Sequence, residues 1–306
     1  MDTPNTGQSV KILTTLGDGN FIEGDYVLPP LDDYSIRVKS IFTGVCRSDI
    51  DMMQGNFPLL PMQMHGHEGL GQVVERGSKV KDWDCKIGDY VATRGEPAYA
   101  DYYNCKPMTW VKVPQADPKY IIEPVACGVN IARVCEDELH KRDGKRMLII
   151  GTGFLARIFY QTLQSLSYNF DIEVLGFSNI DFWKKLLVSE PTGSYDIVLD
   201  LKDDATIMNI KLNDSGLLIL GAQKKFGITT DFGNWLWKNI TIKMPSPRAE
   251  TFISSMSDAV DLIDNGKITL DNVWTHSYNR DNNWQQAFDE ASKRPGNYSR
   301  GYISWD

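Results

Sequence analysis

Residues 146–166 read "RMLIIGTGFLARIFYQTLQSL". An apolar run at 147–150 enters a turn with glycines at 151 and 153. Beyond it Leu155, Ile158, Phe159, Leu163 and Leu166 recur at three- and four-residue spacing, which puts them on one face of a helix. Strand, glycine turn and helix open a βαβ unit. Gly151, Gly153 and Ala156 make a G-x-G-x-x-A pattern. The first glycine allows the tight turn, the second lets a pyrophosphate approach the backbone, and the alanine lets helix and strand pack closely. An ordinary tight turn can carry the same letters, so the flanking sequence has to arbitrate. Downstream lie "IEVLGF", "YDIVLDL", "GLLILGA" and "ITIKM". Their continuous apolar character predicts strands buried on both faces, as in a parallel sheet. That context favours a dinucleotide site.

The second strand ends "VLGFSN", residues 174–179. An NAD site places Asp or Glu near there, about 20 residues after the glycines, to hold the ribose hydroxyls. Gly176 occupies that place, and Ser178 and Asn179 follow, with Lys184 and Lys185 further on. Without a carboxylate there is no repulsion against a 2′-phosphate, so NADP(H) is favoured over NAD(H). Glu173 is the acid that a shifted register would bring into play.

Upstream of residue 120 the pattern differs. "YSIRVKSIFTGV" alternates around Ile36, Val38 and Ile41, and "LGQVVERG" and "GDYVATRG" are short β-type runs closed by glycines. The change near residue 125 predicts two domains. A later segment, "FISSMSDAVDLIDNG", places Phe252, Met256, Ala259, Val260 and Ile263 on one helical face, with Gly266 at a C-terminal cap. The chain has 306 residues, 42% hydrophobic and 24% charged, with a net charge of −8, which suits a globular protein and argues against nucleic acid or an anionic membrane as partner. The sequence shows no membrane-length apolar run and no secretion signal. Five scattered cysteines do not form a disulfide framework, so a reduced, cytoplasmic setting is expected.

Two of the four histidines stand in "MHGHEGLG", residues 64–71, with Glu68 beside His67. Earlier comes "GVCRSDID" with Cys46, Ser48 and Asp49, and later "IIEPVACG" with Glu123 and Cys127. Thiolate, imidazole and carboxylate together suit tetrahedral Zn²⁺. Taken singly, Cys46 also reads as a small buried hydrophobe, His67 as a hydrogen-bonded core histidine and Glu68 as a surface acid.

The ordered series "GVCRSDI", "P-x-x-x-H-G-H-E-G-x-G-x-V-V-E-x-G", "GDYVA", "EP-x-A-C" and "GTGFLA" resembles the zinc-containing medium-chain alcohol and polyol dehydrogenases, and "LIDNGKI" and "NYSRGYI" extend the resemblance toward the C-terminus. It implies an α/β protein with a GroES-like β domain, residues 1–125 and 256–306, and a doubly wound parallel-sheet Rossmann domain, residues 126–255. It makes Cys46 and His67 zinc ligands and Glu68 a ligand or close inner carboxylate. Glu123 becomes the acid that polyol-type members place at the fourth corner. Asp49 would orient His67, Ser48 would relay the substrate proton, and Arg47 and Arg300 would hold the coenzyme pyrophosphate. His65 receives no role. The resemblance also implies a homodimer or homotetramer acting on a small alcohol or carbonyl compound.

Three departures qualify this. The four-cysteine structural zinc lobe is missing from residues 88–100, and Cys85 and Cys105 are too isolated to replace it, so one metal is expected. Only about 20 residues separate "VLGF" from "YDIVLD", which trims the Rossmann half and puts one strand in question. Asp51 stands where many members have a relay histidine, so the resemblance implies that the proton leaves through Asp51 or directly to water. Two other readings compete: a zinc-free quinone or enoyl reductase of the same fold, and a non-catalytic dinucleotide-binding scaffold. Phe57 and Trp110 read either as pocket lining or as core aromatics.

Overall fold

The computed structural model describes residues 6–57, 64–95, 97–178, 180–202, 210–222, 232–249 and 251–305. In chain order the first elements are β1 (Ser9–Thr15), β2 (Phe21–Val27), β3 (Ile36–Gly44), α1 (Arg47–Met53), β4 (Gly69–Arg76), β5 (Tyr90–Thr93), β6 (Tyr102–Cys105), β7 (Trp110–Val113), α2 (Glu123–Val134) and α3 (Glu136–His140). Then come β8 (Arg146–Ile150), α4 (Phe154–Ser165), β9 (Asp171–Leu175), α5 (Ile180–Trp183), β10 (Leu187–Val188), β11 (Ser194–Asp200), β12 (Lys211–Leu220), α6 (Phe232–Trp237) and β13 (Thr241–Lys243). The chain closes with α7 (Phe252–Asp264), β14 (Trp274–Asn279), α8 (Trp284–Lys293) and β15 (Arg300–Ser304). It divides into two compact units, residues 1–125, 256–261 and 269–306, and residues 126–255 and 262–268.

The first unit is β-rich. β1 and β2 form an antiparallel hairpin, and a seven-stranded sheet runs β14-β15-β3-β4-β5-β7, with β6 pairing β3 off this path. The alternation seen in β3 is a burial pattern: Ile36 and Val38 are fully buried and join a core with Val73, Val91 and Tyr103. β15 brings the last residues of the chain into this sheet against β3, which places Arg300 in the same unit as Cys46. Trp110 packs against the core cluster, so it reads as a core aromatic rather than as pocket lining. Cys85 and Cys105 lie inside the same cluster. All five cysteines are free, and burial pushes the Cys85 thiol up to about 11.

The second unit is a six-stranded parallel sheet in the order β10-β9-β8-β11-β12-β13. Both faces of β8 are covered. Met147 and Ile149 pack with Ala156, Phe159 and Leu163 of α4, while Leu148 and Ile150 pack with Tyr195, Leu212 and Leu218. This two-sided burial is why the strands read as unbroken apolar runs. The strand left in question by the short spacing is present, reduced to Leu187 and Val188. It connects to β11 through residues 189–193 alone, where a parallel crossover ordinarily needs a dozen or more residues and a helix.

The short crossover is held by Glu173. Thr192 Oγ1 and Arg146 Nη2 each donate to its Oε1 at 2.6 Å, and Tyr195 donates to its Oε2 at 2.6 Å. Glu173 therefore sits mid-strand with both oxygens committed, and is not available to a ribose. Burial works to raise its pKa, but Thr192, Tyr195 and Arg146 together hold the carboxyl below its usual range. Glu173→Ala is expected to destabilise the protein by about 2–3 kcal/mol at neutral pH, as measured by denaturant midpoint. Because the folded pKa is depressed, wild type holds its full advantage above the unfolded value near ~4.3 and loses it as pH falls through the folded value. A difference independent of pH over that window would refute the assignment.

Candidate functional site

Cys46 occupies the N-cap of α1 with extended backbone. Its N–H donates to Asp49 Oδ2 at 2.9 Å, so Asp49 reaches back over the first turn. Tyr99 OH donates to the same oxygen at 2.8 Å. The other oxygen, Oδ1, is buried without a hydrogen bond and lies 3.7 Å from His67 Nδ1. Asp49 is fully buried, and burial leaves its carboxyl above the usual range against the opposing pull of His67 and the Cys46 N–H. Asp49 thus fixes the start of α1 and faces the imidazole. Tyr99, which supports it, was not identified from the sequence; a lone tyrosine in "AYA" carries no signal of its own.

The segment before β4 passes Tyr99 at close range. His65 O accepts from Tyr99 N at 3.1 Å and Gly66 O from Ala98 N at 2.9 Å. Gly66 has φ +80°, and a Cβ on it would fall 2.6 Å from Tyr99 N. Only glycine lets the chain turn there and deliver His67 to one side and His65 to the other. His65 is buried, bonded through Nδ1 to Thr14 Oγ1 at 2.9 Å and set edge-on to Phe21. It is a core histidine.

Cys46, His67 and Glu68 each bring a ligand atom within 4.8 Å of the others, and among the described residues they are the one such group. Glu123, buried at the first residue of α2, stays outside this mutual distance but acts on His67 electrostatically. Burial disfavours a charged imidazole, yet Asp49, Cys46 and Glu123 outweigh it and hold the His67 proton well above its usual pKa. Glu68 is buried and accepts from Arg300 Nη2 at 2.6 Å. A Cβ at Gly44 would collide with the Glu68 carboxylate, so that glycine gives the side chain its room. A thiolate, an imidazole and buried carboxylates in excess of nearby positive charge fit a borderline divalent cation such as zinc better than magnesium or calcium.

Ser48 is half-buried on α1, and among the described residues its hydroxyl makes no hydrogen bond. Arg47 Nε donates to Asp51 Oδ1 at 3.0 Å, so the residues assigned to pyrophosphate and to proton exit are paired with each other. Phe57 is half-buried.

In the second unit the glycine turn follows β8. Gly151 has φ +117°, closed to most side chains, and its Cβ position lies 3.2 Å from Leu201 Cβ. Gly153 is the N-cap of α4, and nothing lies within 4 Å of where its Cβ would be. That open space at a helix N-terminus with no acid in its first turn fits a phosphate. Ala156 is buried under the helix. Thr152 O accepts from Trp183 Nε1 at 3.1 Å, and Thr152 Oγ1 bonds Ser178 Oγ at 2.9 Å, which ties the turn to the loop after β9. A Cβ at Gly176 would fall 2.6 Å from Thr152 Cγ2, so a carboxylate grafted at Gly176 would displace the turn itself. Asn179 lies outside the described residues.

Residues 32–115 match the alcohol dehydrogenase GroES-like domain. The sequence is 22% identical to D-arabinitol dehydrogenase 1 of Uromyces fabae over 90% of this chain and 92% of that protein. Over 98 residues it is 31% identical to sorbitol dehydrogenase of Halalkalibacterium halodurans, a match spanning 32% of this chain and 27% of that protein. The fold is shared with 2R,3R-butanediol dehydrogenase from Bacillus subtilis at a TM-score of 0.77, with 15% identity over 97% of this chain and 100% of that one. The class is that of dehydrogenases built from a GroES-like unit and a Rossmann unit. The matched domain and the named relatives indicate the medium-chain dehydrogenase/reductase family.

Gly66→Ala is the sharpest structural check on this site. Positive φ and collision with Tyr99 should cost roughly 2–4 kcal/mol in stability, read as a lowered denaturant midpoint. A variant as stable as wild type would show that the turn does not press on Tyr99 as described.

Proposed function

We propose that the protein is a zinc-dependent oxidoreductase that interconverts an alcohol (a polyol, sugar or amino alcohol) and its carbonyl by hydride transfer, using NADP(H) in preference to NAD(H). The observation that carries this is the grouping of Cys46, His67 and Glu68 with buried Asp49 behind the histidine. Cys46 and His67, with Glu68 or Glu123, would hold one zinc per chain. When bound, zinc supplies Lewis acidity and the nicotinamide accepts or returns hydride.

The chain's own residues do the rest. Asp49, steadied by Tyr99 and the Cys46 N–H, orients His67. Ser48 relays the proton: its Oγ takes the hydroxyl proton of the alcohol while passing its own to solvent as carbon loses hydride, and the relay runs backward in the reverse direction. Among the described residues its hydroxyl makes no hydrogen bond, which suits that task. Asp51 is ion-paired with Arg47. Glu68 and Arg300 neutralise one another beside the ligands, and in the second unit the pyrophosphate is assigned to Gly151, Gly153 and Ala156.

NADP(H) is supported by the absence of an acid at Gly176 and by the commitment of Glu173 elsewhere. A homodimer or homotetramer fits the place of β13 at the end of its sheet among the described residues and the exposure of Leu236, Trp237 and Met244. Five free thiols fit a reducing, cytoplasmic setting.

Metal analysis is expected to give about one zinc per chain, and Cys46→Ser to lose most of it, because a hydroxyl replaces a thiolate. Two equivalents, or none from protein purified with zinc present, would overturn the reading. Tyr99→Phe should weaken zinc retention roughly 10- to 100-fold in a chelator competition while sparing every ligand.

Ser48→Ala should lower turnover about 10²- to 10⁴-fold with zinc content and coenzyme affinity unchanged. The assay screens polyols, amino alcohols and aldehydes with both coenzymes. Full turnover in the variant would remove Ser48 from the proton path.

A further inference from the structure

We infer that Arg294, with Arg47 and Arg300, forms an oxyanion-binding face on the first unit that takes a phosphate group. The inference rests on the oxidoreductase reading for the source of that phosphate, which is the coenzyme or a phosphorylated substrate.

At the end of α8, Arg294 has φ 47° and ψ 66°, in the left-handed region. Helices that end this way use glycine or asparagine, and a longer side chain there costs free energy. Pro295 follows, and the residue before a proline is pushed toward extended backbone instead. Two local rules therefore argue against arginine at this position. Backbone strain of this kind gathers where a side chain has a task. A cation does favour a helix C-terminus, but Lys293 already stands in that last turn.

The packing around α8 shows what the side chain reaches. Gln54 Nε2 donates to Ser292 Oγ at 3.0 Å, and Ala287 and Ala291 share a core with Val45, Ile50 and Met53, so the end of α8 lies against α1. Tyr298 N–H donates to Pro295 O at 2.8 Å and Val45 N–H to Gly301 O at 3.0 Å, which leads the chain into β15. The loop thus holds Arg294 and Arg300 beside α1, the helix that begins with Arg47. Trp274 steadies Arg300, its ring centre 5.1 Å from the guanidinium.

The Arg294 guanidinium is close enough to Arg47, Arg300 and Cys46 to interact with each electrostatically. Arg294 reaches solvent, yet burial of part of its length and the repulsion of Arg47 and Arg300 lower its pKa against the pull of Tyr298 and Cys46. Arg47 is paired with Asp51 and Arg300 with Glu68. Among the described residues the Arg294 side chain makes no ion pair and no hydrogen bond. Three guanidiniums and two carboxylates leave one cation unanswered, at a surface a ligand can reach. Its planar fork of donors suits the oxygens of a phosphate.

The test is a binding titration of the full-length protein with inorganic pyrophosphate, NADPH, NADH, adenosine, sorbitol and sorbitol 6-phosphate. Wild type is compared with Arg294→Gly, Arg294→Asn and Arg294→Lys. Glycine and asparagine accept the left-handed backbone, so those two variants should keep the thermal midpoint of wild type or exceed it by up to about 3 °C, with zinc content unchanged. Loss of one charge-assisted contact predicts pyrophosphate binding about 5- to 50-fold weaker in both, with Arg294→Lys between them and wild type. The same loss for NADPH and NADH alone assigns the phosphate to the coenzyme, and for sorbitol 6-phosphate alone to the substrate. Adenosine and sorbitol, which carry no phosphate, should bind each variant as they bind wild type. Unchanged pyrophosphate binding in Arg294→Gly, or a loss that extends equally to adenosine and sorbitol, would overturn the inference. Wild type that binds pyrophosphate through Arg294 but neither coenzyme would overturn the oxidoreductase reading and leave this site standing.

Discussion

Asp49 has no exposure to solvent, and a carboxylate in that position costs several kcal/mol unless its oxygens are answered. One oxygen is answered twice, by the Cys46 N–H and by Tyr99; the other faces His67. These contacts tie together three stretches distant in sequence. The first fixes where α1 begins, and so where the Cys46 sulfur points. The second requires Tyr99 to lie against residues 65 and 66, which requires glycine at 66. The third orients the imidazole whose partners are Cys46 and Glu68. Backbone bonds from Ala98 and Tyr99 to residues 66 and 65 bring the loops together, and satisfying Asp49 fixes how their side chains meet.

The second unit depends on a different constraint, the shortness of the chain between β9 and β11. The six-strand order survives this shortening because β10 keeps one pair of residues beside β9. The missing crossover helix would have covered part of one face. In its place an extended segment is held down by polar contacts to Glu173, with the Arg146 guanidinium stacked 4.8 Å from the Tyr195 ring centre. The same carboxylate that stabilises the crossover is thereby withdrawn from the nucleotide-binding edge.

How much of this is legible in the sequence follows from what each feature costs to encode. The parallel sheet shows because two-sided burial writes unbroken apolar runs. The glycine turn shows because its backbone admits few other residues. Cys46, His67 and Glu68 show as rare residue types in a recurrent order, and the structure brings them together. Glu123 shows equally well but stands outside that group, since its position depends on how α2 begins rather than on its letters. Tyr99 stays hidden. Its role comes from a contact across 50 residues, to Asp49, and a common residue type in unremarkable context does not announce such a contact. β10 is hidden for another reason: two residues are too few to show a period.

Charge explains why the group around His67 reads as a metal site rather than as a buried polar cluster. Cys46, Asp49, Glu68 and Glu123 can all bear negative charge; Arg300 bonds Glu68 and also acts on Cys46, as Arg294 does, while Asp49, Cys46 and Glu123 all act on His67. In the absence of a cation the remaining imbalance is relieved by a proton on His67, which is why its pKa stands high despite burial. A proton is a poor answer, because an imidazolium has no lone pair with which to bind and neutralises one charge among several. A divalent ion answers two charges at once, frees the imidazole as a ligand, and leaves Asp49 to take the N–H that the neutral ring retains. The arrangement is therefore frustrated as a hydrogen-bonded core and consistent as a coordination site, and that difference, more than the presence of any one ligand, favours the metal reading.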